Sequence, residues 1–309
     1  MFIITDPTFL FTCLVLSTPL VFASLGGILA ERAGVYNIGL EGMMMAGAFG
    51  SAVGAYLTGS AIGGLIGGVM FAATGGFILA VLAVSLGINQ MVAGIAINMF
   101  FIGLTAFLAR LVFGMDATTM TLPGFSPVEI PLLSDLPVLG KALFSHDPLT
   151  YLMLLCVPLV YWILFRTHWG LNIRSVGENP RAADTAGVSV TRVRYLCVVF
   201  SGVLAGLGGC YLVLSQVFVF TEHMTAGKGF IALAALILGR WNPVGALLAC
   251  LFFGFADALQ LRLQFSNPDV PYQLFVMLPY VASIVALVGF AGKVKPPAAI
   301  GLHFVRGGK

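Results

Sequence analysis

The chain has 309 residues, of which 59% are hydrophobic and only 9% charged, with a mean hydropathy of +1.03. A soluble domain is excluded, because its surface would carry too few charges to stay in solution. The net charge of +3 is then a signal of membrane topology and implies no nucleic acid.

Taken in order, the apolar stretches are judged against the roughly 20 residues a spanning helix needs. The first, Phe9 to Ala30, has no Lys or Arg before it and an apolar core longer than a signal peptide's, so it reads as a retained helix. The second, Val35 to Leu57, opens with GVYNIGLEG. There Asn37 and Glu41 are four apart and share a helical face, while Gly34, Gly39 and Gly42 weaken the helix around them. A carboxylate near the bilayer centre costs on the order of 2.5 to 3.5 kcal/mol unless it faces protein or water. Two readings stay open: a broken helix lining a cavity, or an acid near the cytoplasmic end of a shorter helix whose dipole favours it.

The third and fourth stretches are Ala61 to Ile88 and Met91 to Phe113. Gly42, Ala46, Gly50 and Gly54 recur every fourth residue, as do Gly63/Gly64 with Gly67/Gly68, and later Gly202 with Gly206. Such stripes let backbones approach closely, within one subunit or between two. Asn89, Gln90 and Asn98 add neutral hydrogen-bonding groups around the fourth helix. Asn37, Glu41, Asn89 and Asn98 are the candidate pathway residues, and a lining of amides, glycines and aromatics suits an uncharged polar solute.

Residues 114–148 form an extramembrane connection that sets Asp116, Glu129, Asp135 and Asp147 against Lys141 alone, with Pro123, Pro127, Pro131 and Pro137 precluding a long helix. It is a docking surface for an external binding protein or a solvated cap. After Leu149 to Phe165 comes the polar interruption Arg166 to Arg194, which holds five of the fifteen Lys and Arg residues. Within it, GENPRAADTAG predicts a very short helix with Asn179 as N-cap, Pro180 at the first position, Ala182, Ala183 and Ala186 on one flank, and Gly187 as the stop.

The remaining stretches are Tyr195 to Leu214, Phe230 to Leu238, Val244 to Leu263 and Tyr272 to Phe290, followed by a tail at 291–309. Phe230 to Leu238 is too short to span as it stands; it extends back through Met224 or is a broken or re-entrant element. Asp257 lies at membrane depth, and five-residue spacing disfavours its pairing with Arg262. The sequence thus predicts an all-α polytopic membrane protein, a single domain of about nine transmembrane helices (eight to ten). With 166–194 inside, Arg32, Arg166, Arg174, Arg181, Arg192, Arg194, Arg240, Lys293, Lys295, Arg306 and Lys309 fall inside, and only Arg110, Lys141, Lys228 and Arg262 outside. That places the N-terminus outside and the C-terminus in the cytoplasm.

Catalytic signatures are missing from the sequence. It has no G-x-x-x-x-G-K-[ST], since Lys228 in TAGKGF lacks that context, no G-x-S-x-G, no H-E-x-x-H and no relay of buried acids. A chain without its own ATPase site, cofactor or metal centre is expected, and hence no enzyme. Cys13, Cys156, Cys197, Cys210 and Cys250 read as small buried hydrophobes.

Three ordered segments, AERAGVYNIGLEGMMMAGAFG, GLNIRSVGENPRAADTAGVSVTRVRYLCVVFSGVLAGLGGCYL and ALILGRWNPVGALLACLFFGFADALQLRLQ, resemble the permeases of bacterial ABC importers in the branched-chain amino acid and ribose superfamily. IPLLSDLPVLGKALF adds a likeness to the shorter permease of nucleoside or simple-sugar importers with a basic-membrane-protein type receptor. The resemblance implies a bacterial inner-membrane protein, a homologous second permease, a cytoplasmic ATPase carrying ATP-Mg, and an extracytoplasmic solute-binding protein. It also implies that Gly177, Glu178, Asn179, Pro180, Ala182, Ala183, Asp184 and Gly187 form a coupling helix seated on the ATPase. An ion-coupled secondary transporter, or an ABC permease for a sugar or branched-chain amino acid, is the alternative.

Overall fold

The computed structural model describes residues 6–114, 120–129, 144–266, 271–290 and 295–305. It is helical apart from one two-residue antiparallel ladder, Val128–Glu129 with Ser145–His146. The helices, in order, are α1 Pro7–Arg32, α2 Leu40–Thr58, α3 Ala61–Ala80 with a π-helical continuation Val81–Ser85, α4 Gln90–Phe113, α5 Pro148–Arg166, α6 His168–Glu178 and α7 Pro180–Thr185. They continue with α8 Val190–Tyr211, running on as a π-helix over Leu212–Val217, then α9 Lys228–Leu238, α10 Pro243–Ser266, α11 Tyr272–Val276 and α12 Leu278–Phe290.

Six of these are long and apolar enough to cross a membrane: α1, α3, α4, α5, α8 and α10, with the π-helical segments counted in α3 and α8. The bundle is built around α1 and α8. The most hydrophobic window of α1 is 89% buried, whereas those of α3, α4 and α5 are each 33% buried. The outer helices accordingly present Met70, Phe77, Met99, Phe107 and Trp162 outward, an apolar exterior suited to lipid.

The glycine stripes serve contacts inside this chain. A Cβ on Gly50 would stand 2.7 Å from the Gly67 carbonyl oxygen of α3, and one on Gly42 would stand 2.8 Å from the backbone of Asn98 in α4. Close backbone approach of α2 to both neighbours therefore depends on the missing side chain. At one edge of the bundle Asp6 caps α1, accepting from the Thr8 N–H at 3.1 Å, and pairs with Arg262 of α10 at 2.8 Å. Arg262 thus has its own partner, distant in sequence. All five cysteines are buried free thiols.

Several expectations are corrected. The second helix begins at Leu40 instead of Val35, because the backbone of 35–39 is held by side chains of other elements. The interruption at 166–194 contains a second helix, α6, which packs against α5 and α8. The short apolar run at Phe230–Leu238 does not extend back through Met224: Phe218, His223 and Ala226 all have positive φ, so the chain from Phe218 to Gly227 is irregular. The last stretch is split into α11 and α12. Of the expected connection and tail, residues 115–119, 130–143 (including Lys141), 291–294 and 306–309 lie outside the described residues.

Candidate functional site

The chain leaves α1 at Gly34 and rises without helical structure to Gly39 before α2 starts. A non-helical stretch within a bundle must find partners for its peptide groups elsewhere, because no water is at hand to satisfy them. Gln90 Oε1 accepts from the Tyr36 N–H at 2.7 Å. Asn98 acts at both ends: its Nδ2 donates to the Ile38 carbonyl at 2.8 Å, and its Oδ1 accepts from the Gly42 N–H at 2.8 Å. Asn37 is fully buried; its Nδ2 donates to Ser201 Oγ at 2.7 Å, while its Oδ1 has no hydrogen-bond partner. Ser201 lies eleven residues into α8, about 16 Å along the axis at 1.5 Å per residue and so near the middle of a core about 30 Å thick.

Glu41 carries the next connection. Its Oε1 accepts from Thr225 Oγ1 at 2.6 Å and from the Gly227 N–H at 2.8 Å, and its Oε2 accepts from the Gly229 N–H at 2.6 Å. These donors belong to the turn that opens α9. The residue lies in the first turn of α2, but its carboxylate serves the positive end of a different helix, whose first N–H groups would otherwise be unpaired. Two interruptions, the entry to α2 and the half-length helix α9, are therefore joined by one buried acid.

Asn37, Glu41 and Asn98 come together at this junction. Asn89 stands apart from it, exposed, as the N-cap of α4, accepting from Met91 N–H at 3.0 Å and Val92 N–H at 3.4 Å. The sequence reading missed Ser201, Thr225 and the glycines around Lys228, whose only signal was an apolar run too short to span preceded by a Gly-Lys-Gly turn.

A second candidate region surrounds α7. Asn179 accepts from the Ala182 N–H at 3.0 Å, Pro180 is the first helical residue, and Gly187 at φ +86° follows the end. The cap and stop stand where the sequence placed them. The flank differs: Ala182, Thr185, Ala186 and Gly187 are exposed, whereas Ala183 is 3% exposed and packs into the chain's own core. Ala183 therefore lies on a different face from Ala182 and Ala186, because α7 must anchor one residue to the bundle.

Gly177 is also turned inward. Its carbonyl accepts from the Ala299 N–H at 2.8 Å, and Glu178 Oε2 accepts from the Ala298 N–H at 3.3 Å. Arg194 closes the group, donating from Nε to the Ala33 carbonyl at 3.2 Å and from Nη1 to the Leu302 carbonyl at 2.8 Å. Residues 298–302 thus tie the C-terminal end of α1 to α6 and α8, beneath the exposed face of α7.

Residues 9–289 match the family of branched-chain amino acid transport system permease components. The chain belongs to this family. The guanosine ABC transporter permease NupQ of Bacillus subtilis (strain 168) is 42% identical to it over 303 residues, covering 95% of either chain. The nucleoside ABC transporter permease NupC of Lactococcus lactis subsp. cremoris is 37% identical over 302 residues, again 95% of either chain. NupP, a second guanosine ABC transporter permease of Bacillus subtilis, is 26% identical over 91% of this chain and 83% of its own length. In fold, the permease resembles a solved inward-facing ABC transporter of metal-chelate type, with a TM-score of 0.50 and 18% identity over 91% of this chain and 84% of the other. It is a translocating subunit and does no covalent chemistry.

Proposed function

We propose that this permease forms half of the membrane pathway of a nucleoside importer and is driven by a separate ATPase. The observation that carries this reading is likeness over 95% of the chain to permeases named for guanosine and for nucleosides. The chain makes nine crossings: the six long helices, α2, α9, and α11 with α12. The N-terminus lies outside and residues 291–309 in the cytoplasm of a bacterial inner membrane. The exposed residues of α7 seat in the ATPase, where ATP-Mg binds, and 166–194 transmit its closure to α5 and α8. Residues 114–148 face an extracytoplasmic binding protein.

A homologous second permease completes the pathway. Two Bacillus subtilis guanosine permeases resemble this chain very unequally, at 42% and 26% identity, which supports a pair of unlike subunits. The test is uptake of radiolabelled guanosine into proteoliposomes holding both permeases, the ATPase and the receptor. Uptake is expected to require ATP on the ATPase side and to survive an ionophore. Uptake that proceeds without ATP and collapses with the ionophore would establish ion coupling and overturn the reading.

A further inference from the structure

A cavity of about 290 Å³ lies between α1, the start of α9, α10 and α12, and its wall includes Leu16, Lys228, Asp257, Gln260 and Tyr280. Its depth follows from the edge of the bundle at Asp6. Leu16 is ten residues along α1 from Asp6, which is bound to Arg262, so the cavity reaches about 15 Å inward at 1.5 Å per residue. Asp257, five residues from Arg262 along α10, is about 8 Å below the same edge at 1.5 Å per residue, where a charge is costly unless it faces water, a counter-charge or a ligand. Asp257 has no ion-pair partner within 4.0 Å among the described residues, and Lys228 supplies the opposite charge in the same wall.

Lys228 is held by the junction already described. Glu41 binds the N–H groups of Gly227 and Gly229, the residues on either side of it. The irregular turn from Phe218 to Gly227 is backbone of the kind tolerated at membrane depth where it lines a cavity. Glu41 is therefore a positioning residue for this wall and does not itself line it.

Resting on the nucleoside reading, we propose that this cavity is a solute subsite that takes the sugar of a nucleoside. The Asp257 carboxylate accepts from the vicinal 2′- and 3′-hydroxyls, while Lys228 and the Gln260 amide donate to hydroxyl oxygens. A hydroxyl both donates and accepts, so it satisfies an acid, an ammonium and an amide alike. The diol is also common to ribonucleosides whatever their base. Because the wall holds one acid and one ammonium, an uncharged solute enters and leaves without stranding a net charge.

The experiment measures transport rates in proteoliposomes of the assembled importer, with the receptor saturated by guanosine or by 2′,3′-dideoxyguanosine so that receptor affinity does not set the rate. The wild type is expected to move guanosine about tenfold faster or more, the factor of a single charge-assisted hydrogen bond. Asp257→Asn is expected to lower the guanosine rate by about tenfold and the dideoxy rate by less than about twofold, with Gln260→Ala acting in the same direction more weakly. If Asp257→Asn fails to assemble, Gln260→Ala decides. Variants that keep the wild-type hydroxyl preference, or slow both nucleosides equally, would overturn the subsite alone. A wild-type complex that moves no nucleoside would overturn the import reading and the subsite with it.

Discussion

At the scale of single residues, Glu41 shows how a buried acid can be structural and still bear on transport. It has three donors and lies at the meeting of two interrupted helices. Glu41→Ala should leave the Gly227 and Gly229 N–H groups unpaired at a cost of about 1 to 3 kcal/mol each, seen as a lower melting temperature of the detergent-solubilised permease. Glu41→Gln keeps the shape but only one good acceptor oxygen and should melt between wild type and Glu41→Ala. Equal melting of all three proteins would show that the carboxylate does not hold α9. Asn37 and Glu41 stood out because both lie in one short motif, but they share no helical face: Asn37 lies in the non-helical stretch before α2 and bonds Ser201, while Glu41 bonds the turn before α9. The partners were not legible, since Thr225 is 184 positions from Glu41 and nothing local to either residue marks the contact.

At the scale of elements, the ends of α7 were readable because caps are local chemistry: Asn179, Pro180 and Gly187 act within one turn of themselves. Its inner face was not, because which alanine turns inward is decided by the core cluster that Ala183 joins, most of whose members are far away in sequence. The difference is testable with one bulky side chain at adjacent positions. Ala182→Trp should leave the melting temperature within about 0.5 kcal/mol equivalent of wild type, as exposed substitutions usually do, but abolish stimulation of the ATPase. Ala183→Trp should destabilise the permease itself by about 1 to 3 kcal/mol through overpacking. A stable Ala183→Trp protein that loses only ATPase stimulation would show that Ala183 faces the partner after all.

For the whole molecule, the composition and the run of apolar stretches come straight from the solvent the chain must satisfy, so the membrane class was legible in composition and the six long helices of the described residues in the apolar stretches. The broken entry to α2 and the half-length α9 were visible only as anomalies, glycines beside an acid and a run too short to cross. Their resolution lies in tertiary hydrogen bonds that no window of sequence contains. The proposed orientation can be tested because the native cysteines are all buried and should label slowly. Thr185 and Ser126 are both exposed, one the last residue of α7 and the other in the segment before α5. In intact cells an impermeant maleimide should label Ser126→Cys and leave Thr185→Cys unmodified until inside-out vesicles are used. The reverse pattern would put α7 on the receptor's side of the membrane, where no ATPase could reach it, and the mechanical coupling inferred for residues 166–194 would fall with it.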